Sequence, residues 1–183
     1  MIIGLVGKMG CGKGAVTSQI ISAYPERIIK TVRFSDPLAE VCEIMAIPKT
    51  RYNLQHLAVV LKQGFGDGTL TKAVEERIKK IQADLIILEG IRWDSDYEML
   101  RRLPDNKLIY VQADPEVRYV RIKQRKEKVG EAETTFEQFQ KEDQAENEIY
   151  IEQIGAKADF TIDNNGTLDE MRGQVKNFID KYL

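Results

Sequence analysis

Glycines and lysines cluster near the start of the chain, directly after a short apolar run at residues 2–6. Glycine lets the backbone curl so that successive N–H groups point inward at an anion. Lys13 adds a compact cation, and the helix expected to follow it adds its positive N-terminal end. This combination predicts a loop that holds phosphate groups, formed by Gly7, Lys8, Met9, Gly10, Cys11, Gly12, Lys13, Gly14 and Ala15.

The positions of Gly7, Gly12 and Lys13 match the Walker A spacing, between a predicted strand and a predicted helix. A plain glycine-rich turn is a poor alternative, because three glycines and a lysine seldom meet at this spacing after a buried strand. The loop departs from the motif at Gly14, where the Ser or Thr that ligates Mg²⁺ is missing, and Ala15 offers no hydroxyl either. We therefore expect the loop to bind ATP as the nucleotide donor without ligating Mg²⁺ directly.

Two acids are expected to face this loop, since each follows a predicted strand and the carboxyl ends of parallel strands line one crevice. Asp36 is a candidate catalytic and metal-orienting residue that can hold Mg²⁺ water or accept the acceptor's proton. Its alternative role is to cap a helix that begins at Pro37. Glu89 ends the most apolar strand and is the candidate metal-binding acid, also through water. Its alternative role is to cap the turn that follows.

Four further residues are predicted to bind the phosphoryl acceptor. Arg92 follows Glu89 by three residues, so it would project into the same crevice and grip a phosphate with two hydrogen bonds. Arg33 ends the preceding strand and either binds the same phosphate or simply lies at the strand end. Arg51 and Gln55 are four residues apart on a predicted helix, so they share a face that can contact the acceptor base.

A third group of basic residues lies on the helix after the fourth predicted strand. Arg118, Arg121 and Arg125 are spaced by three and four residues, which places them on one helix face. A charged connection follows at about residues 126–135, and its closure over the crevice would bring arginines to the transferring phosphoryl group. This predicts a small lid with Arg121 and Arg125 as catalytic residues. A solvated basic helix face is the alternative.

The apolar and polar pattern alternates strand and helix along the whole chain. Regular alternation of this kind predicts an α/β fold with a five-stranded, mostly parallel sheet between two helical layers. All 183 residues are expected to form one domain, with an acceptor-binding helical segment at about 36–82. Strands are predicted at 2–6, 28–34, 84–90, 107–112 and 159–162, and helices at 16–24, 36–45, 52–63, 69–82, 114–126, 136–153 and 167–182.

Composition excludes several classes of partner. The net charge is −2 and the pI about 5.6, so no general attraction to nucleic acid is expected. The apolar runs are too short to cross a bilayer, and Met1 leads straight into one without a basic leader, so a cytoplasmic location is expected. Two cysteines, Cys11 and Cys42, make neither a disulfide framework nor a metal site. Small-molecule nucleotides are the expected partners, and the oligomeric state stays open between monomer and homodimer.

The sequence resembles the P-loop nucleoside monophosphate kinase superfamily over nearly its whole length. The phosphate loop resembles that of adenylate kinases, in which the metal is held largely through water, although Ala15 replaces the usual threonine. Residues 34–38, Arg51 with Gln55, and residues 89–92 resemble phage-type deoxynucleoside monophosphate kinases. Residues 109–115 with Arg121 and Arg125, and residues 158–164, are similar to dephospho-coenzyme A kinases. The resemblance implies a three-layer P-loop NTPase fold, with Asp36 as the acid near the acceptor and the helix of Arg121 as the base of the lid.

These observations favour ATP-dependent phosphoryl transfer to a nucleoside or deoxynucleoside monophosphate. A dephospho-coenzyme A kinase is the nearest alternative, with Asp36 acting as base toward a ribose hydroxyl. A nucleotide-binding regulatory ATPase without a small acceptor is an alternative of another class, and the missing hydroxyls at Gly14 and Ala15 keep it open.

Overall fold

The computed structural model describes residues 1–125, 135–144 and 148–183. Their five strands form one sheet in the order β2-β3-β1-β4-β5, and all four neighbouring pairs are parallel. This confirms the predicted five-stranded sheet. The strands are β1 (Ile2–Val6), β2 (Ile29–Arg33), β3 (Leu85–Glu89), β4 (Asn106–Gln112) and β5 (Phe160–Asp163).

Helices connect consecutive strands throughout the described part of the chain. Long helices follow β1, β4 and β5, while three helices lie between β2 and β3. In chain order the helices are α1 (Lys13–Ala23), α2 (Ser35–Ile44), α3 (Arg51–Phe65), α4 (Thr69–Lys79), α5 (Asp94–Arg102), α6 (Pro115–Arg125), α7 (Phe136–Asp143), α8 (Ile151–Gly155) and α9 (Leu168–Tyr182).

The central strand β1 is buried on both faces, as expected for a parallel sheet covered by helices. Successive side chains point to opposite faces, so Leu5 belongs to one apolar cluster and Val6 to the other. The Leu5 cluster includes Ile20 of α1 and Phe178 of α9, and the Val6 cluster includes Leu100 of α5 together with residues of α2, α3, α4 and α8. The fold therefore has three layers, with the sheet in the middle.

The structure corrects three predicted elements. Helix α5 was not predicted, because its nine residues are mostly polar and bury only Asp96, Met99 and Leu100. In place of the helix predicted at 136–153 the structure has two helices, α7 and α8, with turns at Gln144 and at residues 148–150. Helix α2 begins at Ser35, so Asp36 lies in its first turn and is not the N-cap.

The predicted lid at 126–135 falls almost entirely on residues 126–134, which lie outside the described residues. Thr135, just after them, caps α7 by accepting a hydrogen bond from the backbone N–H of Gln138. Among the described helices, none combines the length and the apolar character that a membrane span requires.

Candidate functional site

The glycine-rich loop lies between β1 and α1, as the Walker A spacing predicts. Gly10 and Gly12 have φ angles of 79° and 100°, in the left-handed region that favours glycine. A Cβ atom at Gly12 would lie 2.2 Å from the side-chain amide nitrogen of Asn164. That amide donates a 2.8 Å hydrogen bond to the carbonyl of Cys11. Asn164, directly after β5, therefore packs against the loop at Gly12, and only glycine fits at that position.

Lys13 is the first residue of α1, and its side chain folds back over the loop. Its ammonium group donates to the carbonyl oxygens of Gly7 at 2.5 Å and of Lys8 at 3.1 Å. Within the described ranges, the backbone N–H groups of Gly10, Gly12 and Lys13 donate to no backbone acceptor. The loop thus presents amide donors, a helix N-terminus and a cation to the same space, and this donor set fits the phosphates of a nucleotide.

Glu89, at the end of β3, faces the first helix. Its carboxylate accepts a 2.6 Å hydrogen bond from the hydroxyl of Thr17. It also forms an ion pair with Arg33, whose Nε lies 3.2 Å from the second oxygen. The side chain of Glu89 is 12% exposed, whereas that of Arg33 is 61% exposed. The contact between Thr17 and Glu89 was not predicted from the sequence. The position of Thr17, one helical turn beyond Gly14, was a signal for it. Thr17 supplies a hydroxyl on the same helix face as the one missing at Gly14.

The oxygens of Glu89 and Thr17 suit Mg²⁺, which prefers oxygen ligands and keeps several waters. Groups of three or more acidic, histidine or cysteine side chains able to hold a metal do not occur within the described residues. A metal at this position would therefore be completed by phosphate oxygens and water.

Asp36 is partly buried in the first turn of α2. Its carboxylate accepts a 2.8 Å hydrogen bond from the backbone N–H of Arg33, the last residue of β2. It therefore stabilises the turn between strand and helix, while β2 pairs with β3 and brings Arg33 opposite Glu89. Asp36 lies at the same edge of the sheet as Glu89, and its catalytic role stays a prediction.

A buried ion-pair network holds the loop from the other side. Arg118 of α6 is 2% exposed and donates to both oxygens of Asp143, at 2.6 and 2.8 Å. It also donates to the carbonyl of Met9 at 3.2 Å. Lys8 completes the network through Asp143 at 3.2 Å and Glu152 at 2.9 Å. Arg118 is therefore a structural brace for the loop and not part of a solvated basic face.

The charges of this network reinforce each other. Burial of Lys8 acts to lower the pKa of its ammonium group, but hydrogen bonds and charges from Glu152 and Asp143 outweigh burial and raise that pKa. Burial of Asp143 acts to raise the pKa of its carboxyl, but Arg118 and Lys8 outweigh burial and lower it. Both groups are therefore charged at neutral pH. They line a cavity of about 390 Å³ that also borders residues 110–115 and Asn165.

Two of the four predicted acceptor-binding residues meet at a second cluster. The guanidinium groups of Arg51 on α3 and Arg92 after β3 lie 3.5 and 3.2 Å from the same carboxylate oxygen of Glu148. Arg51 also contacts the sulfur of Met9 in the loop. Gln55 lies one turn along α3, and its side-chain nitrogen is buried with no hydrogen-bond partner among the described residues. The structure thus brings Arg51 and Arg92 together and places Arg33 apart from them, on Glu89.

The predicted lid residues lie on α6, beyond Arg118. One terminal nitrogen of Arg121 is buried and has no hydrogen-bond partner in the part of the chain that the structure describes. Arg125 is the last residue of the helix, and its side chain lies outside the described residues. The catalytic roles of both arginines stay predictions.

Asp96 is a buried carboxyl that the catalytic site does not use. It accepts hydrogen bonds from the backbone N–H groups of Arg92 and Trp93 and from the hydroxyl of Thr71, all at 3.0–3.1 Å. Burial raises its pKa from 3.8 to about 6, despite these hydrogen bonds. The folded state therefore binds the Asp96 proton more tightly than the unfolded state, and this stabilisation is lost as the pH rises from about 4 to above 6.

We expect Asp96→Asn to remove the loss of folding stability that accompanies ionisation of Asp96 at higher pH. The amide oxygen can accept from both backbone groups and the amide nitrogen can donate to Thr71, so the geometry is kept without a buried charge. At pH 8 the variant should gain up to about 3 kcal/mol over the parent protein, and the difference should vanish near pH 4. Urea unfolding at several pH values measures this, and a variant less stable than the parent at pH 8 would contradict it.

Comparisons with known proteins support the fold of this chain. No family model matches the chain. The chain is 26% identical over 188 residues to a UPF0200 protein of Pyrococcus horikoshii, with 100% of this chain and 98% of the relative covered. It is also 26% identical over 182 residues to a UPF0200 protein of Sulfurisphaera tokodaii, with coverage of 100% and 97%.

Among solved structures, TT1252 from Thermus thermophilus matches with a TM-score of 0.62 and 20% identity, over 100% of this chain and 98% of that one. Shikimate kinase from Bacteroides thetaiotaomicron matches with a TM-score of 0.63 and 12% identity, over 99% and 97%. Together with the parallel strand order and the glycine-rich loop after β1, these similarities show that the chain has the three-layer fold of the P-loop kinases. At this level of identity they define the fold and leave the acceptor to be argued from the site.

Proposed function

We propose that this protein transfers the terminal phosphoryl group of ATP to a nucleoside or deoxynucleoside monophosphate. The observation that carries the proposal is the contact between two clusters. Arg51, which with Arg92 forms a cationic site for an acceptor phosphate, touches Met9 in the loop that fits the phosphates of the donor. An acceptor held there would lie next to the terminal phosphate of ATP.

In the proposed reaction an oxygen of the acceptor phosphate forms a bond to the γ-phosphorus, and the bond from that phosphorus to the β,γ-bridging oxygen breaks. The products are ADP and a nucleoside diphosphate. Lys13 and the loop amides hold the β- and γ-phosphates and stabilise the charge that develops on the leaving oxygen. Mg²⁺, when bound, neutralises phosphate charge, and Glu89 with Thr17 would orient its water.

Positioning carries most of the catalysis in this proposal. The acceptor phosphate is already an anion, so the reaction needs alignment and charge stabilisation more than a strong base. Arg121 and Arg125 are proposed to approach the transferring group from α6. The cavity of about 390 Å³ beside the loop, which borders Asn165, is of suitable size for the donor base.

A coupled assay of ATP consumption over a panel of acceptors tests the proposal. The panel contains the ribo- and deoxynucleoside monophosphates, dephospho-coenzyme A and shikimate, with ATP and GTP as donors. We expect one or more monophosphates to raise ATP consumption at least tenfold above the rate without acceptor. Stimulation by dephospho-coenzyme A alone would identify the alternative kinase. ATP binding without stimulation by any acceptor would favour a regulatory ATPase.

We expect Asp36→Asn to reduce the transfer rate about 100-fold while the melting temperature changes by less than about 2 °C. An asparagine oxygen can still accept the hydrogen bond from the N–H of Arg33, so the turn is kept, whereas the negative charge near the metal and acceptor is lost. Steady-state kinetics and thermal unfolding measure the two effects. A large loss of melting temperature with an unchanged rate would show that Asp36 only stabilises the helix start.

A further inference from the structure

Glu148 is a deeply buried carboxylate beside Arg51, which contacts the phosphate-binding loop at Met9. Its side chain is 1% exposed and lies between Arg51, which is 18% exposed, and Arg92, which is 37% exposed. Both guanidinium groups approach the same oxygen, Oε1. Neither approach has the alignment of a hydrogen bond, and that oxygen has no hydrogen-bond donor among the described residues. At Oε1 the two arginines therefore act through their charge and not through hydrogen bonds.

This geometry does not suit a purely structural ion pair. Removing a carboxylate from water is costly, and the attraction to its partners repays that cost only when the geometry is good and hydrogen bonds satisfy the oxygens. Arg118 and Asp143 meet this requirement with two short parallel hydrogen bonds. Glu148 does not meet it. Without aligned hydrogen bonds the carboxylate is a weak ligand of the two arginines. An anion that makes several aligned hydrogen bonds to them would bind more strongly.

The donors of the two arginines favour phosphate as that anion. Arg51 lies on α3 and Arg92 in the connection between β3 and α5, and their guanidinium groups converge on one point. Two arginines in this arrangement offer several forked N–H donors, which match the oxygens of a phosphate better than one carboxylate oxygen. Because Arg51 also contacts Met9, the point lies beside the loop for the donor phosphates.

We propose that Glu148 is an internal counterion that occupies the acceptor phosphate site, and that the phosphate group of the acceptor displaces it. The inference rests on the proposed function, since it assigns Arg51 and Arg92 to the acceptor. With Glu148 in place its negative charge offsets one of the two arginine charges, so an acceptor lacking a full phosphate charge binds poorly. Glu148 thereby selects acceptors that carry a phosphate dianion over those that offer only a hydroxyl.

The test uses Glu148→Gln, which keeps the shape of the side chain and removes its charge. We expect inorganic phosphate, measured by calorimetry, to bind the variant about tenfold more tightly than the parent, because a like charge no longer opposes it. The KM for the acceptor should fall by a similar factor while kcat changes less than threefold. Glu142→Gln is the matched control, since Glu142 is 47% exposed and pairs with Arg51 only at 3.8 Å. It should change phosphate binding by less than twofold.

A third variant locates the phosphate. In the double variant Arg92→Met, Glu148→Gln the gain should disappear, because the proposed site has lost one of its two arginines. A gain that persists would place the bound phosphate elsewhere and overturn the proposal. Unchanged or weaker phosphate binding by folded Glu148→Gln would also overturn it. Should Glu148→Gln not fold, Glu148→Met is measured instead, and failure of both to fold would show that Glu148 is a structural counterion.

The phosphate measurement separates this inference from the proposed reaction. Tighter, Arg92-dependent phosphate binding without turnover of any acceptor would support the anion site and contradict the kinase assignment. Turnover of a monophosphate with no effect of Glu148→Gln would support the kinase assignment and contradict the role proposed for Glu148.

Discussion

Replacing Lys13 by alanine is expected to reduce the rate of phosphoryl transfer by at least about 100-fold, with little change in stability. Lys13 is partly exposed, and among the described residues its ammonium group contacts only loop carbonyls and the sulfur of Cys11. Its loss leaves no buried charge unpaired. In the reaction the same group would contact the phosphates as negative charge moves toward the leaving oxygen, and removal of one such donor typically costs 100- to 1,000-fold.

The exposed Lys30 of β2 provides the control, because Lys30→Ala removes an equal charge away from the loop and should leave the rate within twofold of the parent. Single-turnover kinetics measures the chemical step, and thermal unfolding shows that both variants are folded. Transfer by Lys13→Ala at more than about a tenth of the parental rate would contradict the role assigned to Lys13.

The largest expected effect on stability comes from Arg118→Met. Arg118 is almost fully buried and donates to Asp143, Met9 and Ala113, so its removal leaves a carboxylate and two carbonyls without their main donor. Breaking a buried pair in this way typically costs about 3–5 kcal/mol. We expect a loss in that range for the free energy of unfolding, measured with urea.

Two comparisons make this result specific. Arg172→Met removes an arginine of which 49% is exposed, paired with Asp169 on α9, and should cost less than about 0.5 kcal/mol. Replacing both partners, as in Arg118→Met, Asp143→Leu, should recover part of the loss, because the uncompensated carboxylate is gone. A cost below about 1 kcal/mol for Arg118→Met alone would mean that the network does not hold the loop.

The sheet and the phosphate-binding loop could be predicted from sequence because their signals are local. The central strands β1 and β3 are short, mostly apolar runs, and the conformation of the loop follows from glycines at fixed spacing. Helix α5 left no such signal. Its position depends on Asp96, a polar residue that is buried because it accepts hydrogen bonds from the backbone at the helix start.

The candidate site could be predicted only in part, for a similar reason. Residue types, strand ends and helix spacing indicated candidate side chains, and the structure places Glu89 beside Thr17 of α1 and brings Arg51 and Arg92 to one carboxylate. Their partners come from distant parts of the chain, and spacing carries no information about such pairs. Asp143 and Glu148 lie in a stretch predicted as one polar helix, yet they pair with Arg118 and with Arg51 and Arg92.

The central claim is that the loop around Lys13 holds the phosphates of a nucleoside triphosphate. Titration calorimetry of the folded protein with Mg-ATP tests it most directly. The account predicts binding of one nucleotide per chain, with affinity at least tenfold weaker for Lys13→Ala and undiminished for Lys30→Ala. Absence of measurable heat with both Mg-ATP and Mg-GTP, from protein shown to be folded, would contradict it.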